Sequence, residues 1–443
     1  MMLNDEIARI RTMQDPVELL VSHRYLREIN FQDNQLKDIQ SREVSGKAVR
    51  IIHSGRVGAA PGGLQTPVDR LIDTARDLSS LGRIAAFTLP EGDGRIQEAS
   101  YMDPLVPDID LERARDLAVT IIDRLQNRLP AWVIGGGITL GHAVNRLVTS
   151  RGIDQHYEEK SAGFHILVTL PREGDLLEVV VGRSRFPDAT DLDGILDELT
   201  WRARQAETVA DMPSGTYPVL FHPEALSGFL SAFEQAINGR MVFDGVSPLI
   251  NRIGKPIFNP RITLIDDPTD PTLAGYAPFG DEGTAARPIT LVENGILQSY
   301  LTDLDYAARL GCTHTGHGSR FPGSLDEGRP SGETGIDETN WILSAGDTPV
   351  DDMLASISDG IYLLASWDVW SGNIIGGDVS GSTHLAYRIR NGHPVGRIKD
   401  MRISGNLYQM LGDQLQTMSR ERPDTSAGDL RVPFLLVDGV TLA

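Results

Sequence analysis

Apolar side chains recur at helical spacing in two stretches of this chain. Leu111, Ala114, Leu117, Ala118, Ile121, Ile122 and Leu125 keep one apolar face, and Pro130 ends that helix. Leu226, Phe229, Leu230, Phe233 and Ile237 do the same, predicting a helix over Pro223–Asn238 with Gly239 in the left-handed position that closes it. Two other helices are predicted from start signals. Asp15-Pro16-Val17-Glu18 and Thr66-Pro67-Val68-Asp69 each put a capping side chain before a proline at the first helical position. They predict helices reaching Ile29 and Leu81. Asp191 is placed to cap a helix to Ala206, and further helices are expected near Asp303–Leu310 and Asn406–Met418.

Strand patterns fill the intervals. Gln35–Ala60 reads as short antiparallel strands broken at Ser45-Gly46 and Ser54-Gly55. Within Ala131–Gly182, the runs WVIGGGITL, FHILVTL and LLEVVVG are separated by turn signals at Arg151-Gly152 and Glu173-Gly174. Tyr217–Phe221 is one more strand, and strands punctuated by Gly and Pro follow, with a Gly-, Ser- and Pro-rich loop at Phe321–Gly335. Helices and hairpins do not alternate as a doubly wound sheet would require. The fold class expected is α+β, with antiparallel or mixed sheets and flanking helices. The break at Asp211–Gly215 suggests two domains, 1–210 and 211–443.

Charge narrows the possible partners. Sixty-one acidic against 41 basic side chains leave −20, the wrong sign for displacing counterions from nucleic acid. The first residues are charged and lack the apolar core of a secretory signal, and no run of 18 apolar residues suggests a membrane span. Cys312 has no second cysteine to pair with. A cytoplasmic location is the expectation.

Few residues suggest chemistry. Cys312-Thr313-His314-Thr315-Gly316-His317 brings three candidate metal ligands together, provided the loop folds back on itself. Asp281-Glu282-Gly283 could share a proton or bind a cation, but reads more readily as a solvated turn. Asp266-Asp267-Pro268 also reads as turn chemistry. His222, before Pro223, suits a residue at a helix start rather than a general base, since a lone imidazole lacks a positioned partner. Gly135-Gly136-Gly137 fits neither a dinucleotide fingerprint nor a phosphate loop, and no Gly-x-Ser-x-Gly elbow occurs.

Several runs, in this order and spacing, resemble the TldD/PmbA family of cytosolic metallopeptidases, once described as modulators of DNA gyrase. They are LKDIQSREVSGKAVRIIHSGRVG at Leu36–Gly58, SGTYPVLFHPEALSGFLSAFEQAING at Ser214–Gly239, Asp281-Glu282-Gly283-Thr284, VENGILQSYLTDLDYAARLGCTHTGHGSR, and ISGNLYQML at Ile403–Leu411. The resemblance implies an enzyme of two subunits. The zinc-bearing subunit carries His-Glu-x-x-x-His on the helix that matches Pro223–Asn238, and a cysteine ligand near its C-terminus. Here those helix positions hold Ala232, Phe233 and Ile237, and the C-terminal stretch, Ser426–Pro433, has no cysteine.

The nearer likeness is therefore to the PmbA (TldE) branch, which lacks the motif. It implies no catalytic residue and no cofactor on this chain, and zinc on a TldD-type partner in a heterodimer. It also implies unfolded or extended peptide as substrate, with Asp281, Glu282, Gly283 and His317 near its groove. Two other readings remain at this point. One is a homodimeric peptide-binding or scaffold protein without a peptidase role. The other is a metallopeptidase with a relocated metal site at Cys312, His314 and His317.

Overall fold

The computed structural model describes residues 2–102, 110–184, 192–321, 329–369 and 371–443. After a helix, α1 (Met2–Arg11), the first half is built on long paired strands: β1 (Val17–Gln32), β2 (Gln35–His53), β3 (Arg56–Gly62), β4 (Gln97–Met102), β5 (Val133–Thr149), β6 (Asp154–Arg172) and β7 (Asp175–Arg183). They form one sheet in the order β3-β2-β1-β5-β6-β4, with β7 also on β6. All its pairings are antiparallel except β4 with β6. The helices α2 (Val68–Ser79), α3 (Leu111–Arg128) and α4 (Leu192–Ala206) stand where the sequence places them, although α2 starts after Pro67 with no side-chain cap from Thr66. Asp110 caps α3 by accepting the Arg113 N–H at 2.9 Å. Asp191, expected to cap α4, lies outside the described residues.

The helix expected from Asp15 to Ile29 is instead strand β1. Its local start signal is overridden by pairing on both sides, with Val17 opposite Ile51 of β2 and Glu18 opposite Thr149 of β5. Asp15 does not cap a helix; its carboxylate lies 3.0 Å from His53 Nδ1, and the Pro16 carbonyl accepts the Ile52 N–H. Val17 and Leu19 join a core with Val49, Ile51 and the inner face of α2. Leu20, on the other face, packs with Leu147 and Ile153. Nor does β2 break at Ser45-Gly46, where pairing with β1 continues. The break at Ser54-Gly55 does occur: φ of 51° and 75° makes a two-residue hairpin into β3.

In the second half, β8 (Gly215–Phe221) pairs with Asp359–Trp367 and with Leu435–Leu442. Strands Arg402–Asn406 and Asp378–Arg390 continue the sequence of pairings, and the latter returns to Asp359–Trp367, closing a ring of five strands. Helix α5 (Pro223–Ile237) buries Leu226, Phe229, Leu230, Phe233 and Ile237 in one core with Val219, Ile361 and Ile403 of these strands. A separate five-stranded sheet contains Leu264–Asp266, Trp341–Leu343 and Leu430–Arg431. Helices α3 and α4 share a core with β5–β7 and with Leu220, Tyr362, Leu385 and Tyr387, so the first sheet, two helices and the strand ring are packed in layers.

Two helix ends differ from expectation. Gly239 is not a left-handed cap but opens a short helix, Gly239–Phe243, whose first turn is capped by Asn238 Oδ1 on the Arg240 N–H at 3.0 Å. Glycine is needed there for close approach, because a Cβ would lie 2.8 Å from the Leu301 carbonyl oxygen. The closing helix is a single turn, Leu407–Met410. Leu415–Met418 is a strand, paired with Leu435–Val437.

Candidate functional site

A cleft of about 450 Å³ lies between the first sheet and three segments of the second half. The sheet wall is set by strand alternation: Arg24 of β1, Asn145 of β5, and Gln155 and Tyr157 of β6 reach the cleft. The facing wall comes from residues 274–281, 338–339 and 427–429. A smaller hollow of about 140 Å³ shares Asp281, Glu338 and Thr339 with the cleft and extends to His317.

Asp281 stands in a tight turn, in which the Gly283 N–H donates to the Gly280 carbonyl at 3.0 Å and Gly283 adopts φ 78°. Asp281 Oδ2 accepts the Arg320 backbone N–H at 2.8 Å. Burial, only partly offset by that bond and by the Arg320 charge, pushes the Asp281 carboxyl up to about 6. The neighbouring carboxylate faces away from solvent, contrary to the solvated turn expected. Glu282 is 1 % exposed and accepts from Arg50 Nη1 at 2.9 Å and from the Leu304 N–H at 2.8 Å. Two buried arginines, Arg50 and Arg320, account for this placement. Gly283 packs toward Ile153, in the turn between β5 and β6, and lines neither hollow.

His317 is buried, with Nδ1 2.9 Å from Thr315 Oγ1 and Nε2 3.3 Å from Asp266 Oδ2. Asp266 is likewise no open turn residue. Fully buried at a strand end, it accepts from the Thr339 N–H at 3.0 Å, Trp341 Nε1 at 3.1 Å and the Asn340 N–H at 3.2 Å. Burial would raise its carboxyl, but bonds and charge from His317, with Thr339, hold it below the ordinary value. Asp267 does make the turn, accepting the Thr269 N–H at 2.8 Å. Cys312 is exposed and His314 half-buried. Among the described residues no group of three or more His, Cys, Asp or Glu is placed to hold a metal ion, so Cys312, His314 and His317 do not assemble as a ligand set.

The zinc ligands implied for the metal-bearing branch have no counterpart on α5. Ala232, Phe233 and Ile237 are each 0 % exposed and apolar, with the Phe233 ring 5.0 Å from Phe258 and 5.8 Å from Trp341. These residues do not fit a zinc ion. In the C-terminal stretch, the Ser426 N–H donates to Glu224 Oε2 at 2.9 Å, and Asp429 faces the cleft. His222 starts α5 as expected, its Nδ1 accepting the Glu224 N–H at 3.0 Å.

One polar side chain of α5 does reach this region. Glu234 makes a side-chain hydrogen bond with Glu338. Burial raises both carboxyls, and with the Glu234 charge beside it Glu338 goes up to about 8, so the pair shares a proton at neutral pH. In the unfolded chain glutamate ionises at about 4.3. The contribution of Glu338 to stability is therefore complete below that pH and is lost as pH rises through about 8. Glu338→Gln, which imitates the protonated acid, should gain in stability relative to the parent as pH rises from about 5 to about 8. Thermal unfolding of both proteins across that range checks it; a difference constant with pH would contradict the assignment.

Of the residues singled out from sequence, Asp281 and His317 therefore border the hollows, whereas Glu282 and Gly283 do not. Glu338, Asp429, Gln155, Tyr157 and Tyr276 were missed. The adjacent acids Asp337-Glu338, and Asp429 in the stretch matching the family's cysteine segment, were the available signals.

Comparison with known proteins agrees with this architecture. Residues 214–443 match the PmbA/TldA metallopeptidase C-terminal domain. The uncharacterized protein MJ0231 of Methanocaldococcus jannaschii is 26 % identical over 403 residues, spanning 90 % of each chain. Metalloprotease PmbA of Escherichia coli O157:H7 is 21 % identical, covering 96 % of this chain and 92 % of its own. The crystal structure of TldE from Thermococcus kodakarensis superposes with a TM-score of 0.86 at 21 % identity, covering the whole of both chains, which establishes the shared α+β fold. With more than half of its length matched by the family's C-terminal domain, the chain belongs to the PmbA/TldD metallopeptidase family.

Proposed function

We propose that this chain is the TldE/PmbA-like subunit of a heterodimeric cytoplasmic zinc metallopeptidase, without a catalytic metal of its own. Residues 1–210 and 211–443 serve as its two domains. Its role is to complete the peptide chamber and hold extended peptide for a zinc borne by a TldD-type partner. The observation that carries this reading is the burial of Ala232, Phe233 and Ile237 at the positions where the family's metal motif would stand. Strand addition suits the peptide, because among the described strands β4, which borders the cleft through its pairing with β6, has only that one neighbour.

Coexpression with a tagged zinc-bearing homologue tests the reading. Copurification of the untagged chain, zinc in the pair but not in the isolated chain, and peptide cleavage by the pair alone are expected. Stoichiometric zinc together with cleavage by the isolated chain would sink it.

A further inference from the structure

Acceptors are prominent among the polar groups lining the cleft. Asp281 and Asp429 contribute carboxyl groups, and Asn145 and Gln155 contribute amide oxygens. Gln155 is only 5 % exposed. Its Nε2 is occupied by Gln97 at 3.0 Å, while among the described residues its Oε1 is buried without a partner, as is Asn145 Oδ1. Buried acceptors left unpaired in a cavity wall cost free energy unless a donor arrives. Among the described residues, Arg24 is the one positive side chain in the lining.

The same cleft has aromatic faces. Tyr276 lies 6.2 Å from Tyr157 and 5.4 Å from Tyr101, and Phe279 and Phe321 also line the space. A flat, apolar-stemmed cation with several N–H donors satisfies both features, stacking on rings while donating to carboxylates and amide oxygens. A guanidinium meets this description better than an ammonium, because its donors are fixed in one plane and it is weakly hydrated. The chain's net charge of −20 also raises the local concentration of cationic ligands.

We infer that this cleft is a recognition pocket for an arginine side chain of the bound peptide, held by Asp281, Asp429 and the Gln155 oxygen between tyrosine faces. This rests on the reading of the cleft as a peptide site and adds the substrate class that the family resemblance leaves open. The backbone of the bound peptide would run along the β4 side, with Arg24 facing its carbonyl or carboxylate oxygens.

The test uses the full chain and two fluorescent pentapeptides, acetylated and amidated, identical except for a central arginine or citrulline. Citrulline keeps the size and plane and removes the charge. Anisotropy titration should show the arginine peptide binding at least about tenfold tighter, the scale of one or two charge-assisted hydrogen bonds. Asp429→Asn and Gln155→Leu should each shrink that ratio by about threefold or more. Glu173→Gln, which neutralises an exposed turn carboxylate remote from the cleft, should leave it unchanged. Circular dichroism confirms that each variant is folded.

Equal binding of the two peptides, no binding of either, or a ratio insensitive to Asp429→Asn and Gln155→Leu overturns the inference. A ratio reduced equally by Glu173→Gln also overturns it, since that marks a general field effect. Failure here is distinct from failure of the proposed function. A chain that pairs with a zinc-bearing homologue but treats the peptides alike loses only the pocket, whereas one that prefers arginine but never pairs loses only the heterodimer.

Discussion

Replacing Arg50 with methionine should cost about 3–5 kcal/mol of stability, the range for breaking a buried ion pair by removing one partner. Arg50 lies on β2 and is 2 % exposed. Its guanidinium donates to Glu18 of β1, to Glu282 Oε1 at 2.9 Å and to Thr334 Oγ1. Arg320, fully buried, lies 3.5 Å from Glu18 Oε2. Burial works to lower the Arg50 pKa, but the charges of Glu18 and Glu282 outweigh it and hold it above the ordinary value. Arg320 is less well compensated. Burial, and then repulsion from Arg50, lowers it to about 10.

Two carboxylates and two guanidiniums thus form a buried neutral set that ties β1 and β2 to the turn beneath the cleft. Arg50→Met leaves that set one negative charge in excess. Adding Glu282→Gln restores neutrality while keeping an acceptor for the Leu304 N–H, so the double variant should recover part of the loss. Urea unfolding midpoints of the parent, single and double variants measure this coupling. A double variant no better than the sum of its single changes would show that charge balance is not what holds the set together.

This network also shows where sequence reading stops. Glu18 and Arg50 are ordinary surface-type residues in an apparent helix start and a strand, and Glu282 follows Asp281 in what looks like a solvated turn. Only the pairing of β1 with β2, and the packing of both against residues 281–282 and 320, makes them neighbours. Helices α2, α3, α4 and α5 are legible because start signals and an apolar face act within a dozen residues. Strand β1 was misread because its helix-start residues are local, whereas the two ladders that override them lie across the chain at β2 and β5. The cleft was half legible. Asp281 and His317 fall in runs that the family resemblance highlights. Gln155, Tyr157, Tyr276, Glu338 and Asp429 come from four separated segments, and the raised Glu338 carboxyl is a consequence of burial that no spacing records.

Helix α5 allows the sharpest test of how this chain departs from the metal-bearing branch. Phe233→Ala should destabilise by about 3–5 kcal/mol, because the ring is fully buried against Phe258 and Trp341 and its removal leaves a cavity. Phe233→Leu, which keeps more of the apolar volume, should cost less. Installing the missing motif with Ala232→His, Phe233→Glu and Ile237→His together should lower stability further than Phe233→Ala. A carboxylate and two imidazoles would then replace apolar groups that are 0 % exposed, with no partners supplied. The triple variant should retain no zinc after dialysis, since Ser426–Pro433 offers no cysteine to complete the set. Unfolding curves and metal analysis of the three variants read this directly. A soluble triple variant holding one zinc per chain would show that these positions can turn toward the cleft, and that the lack of the metal motif here is a matter of side-chain identity alone rather than of a helix face committed to the core.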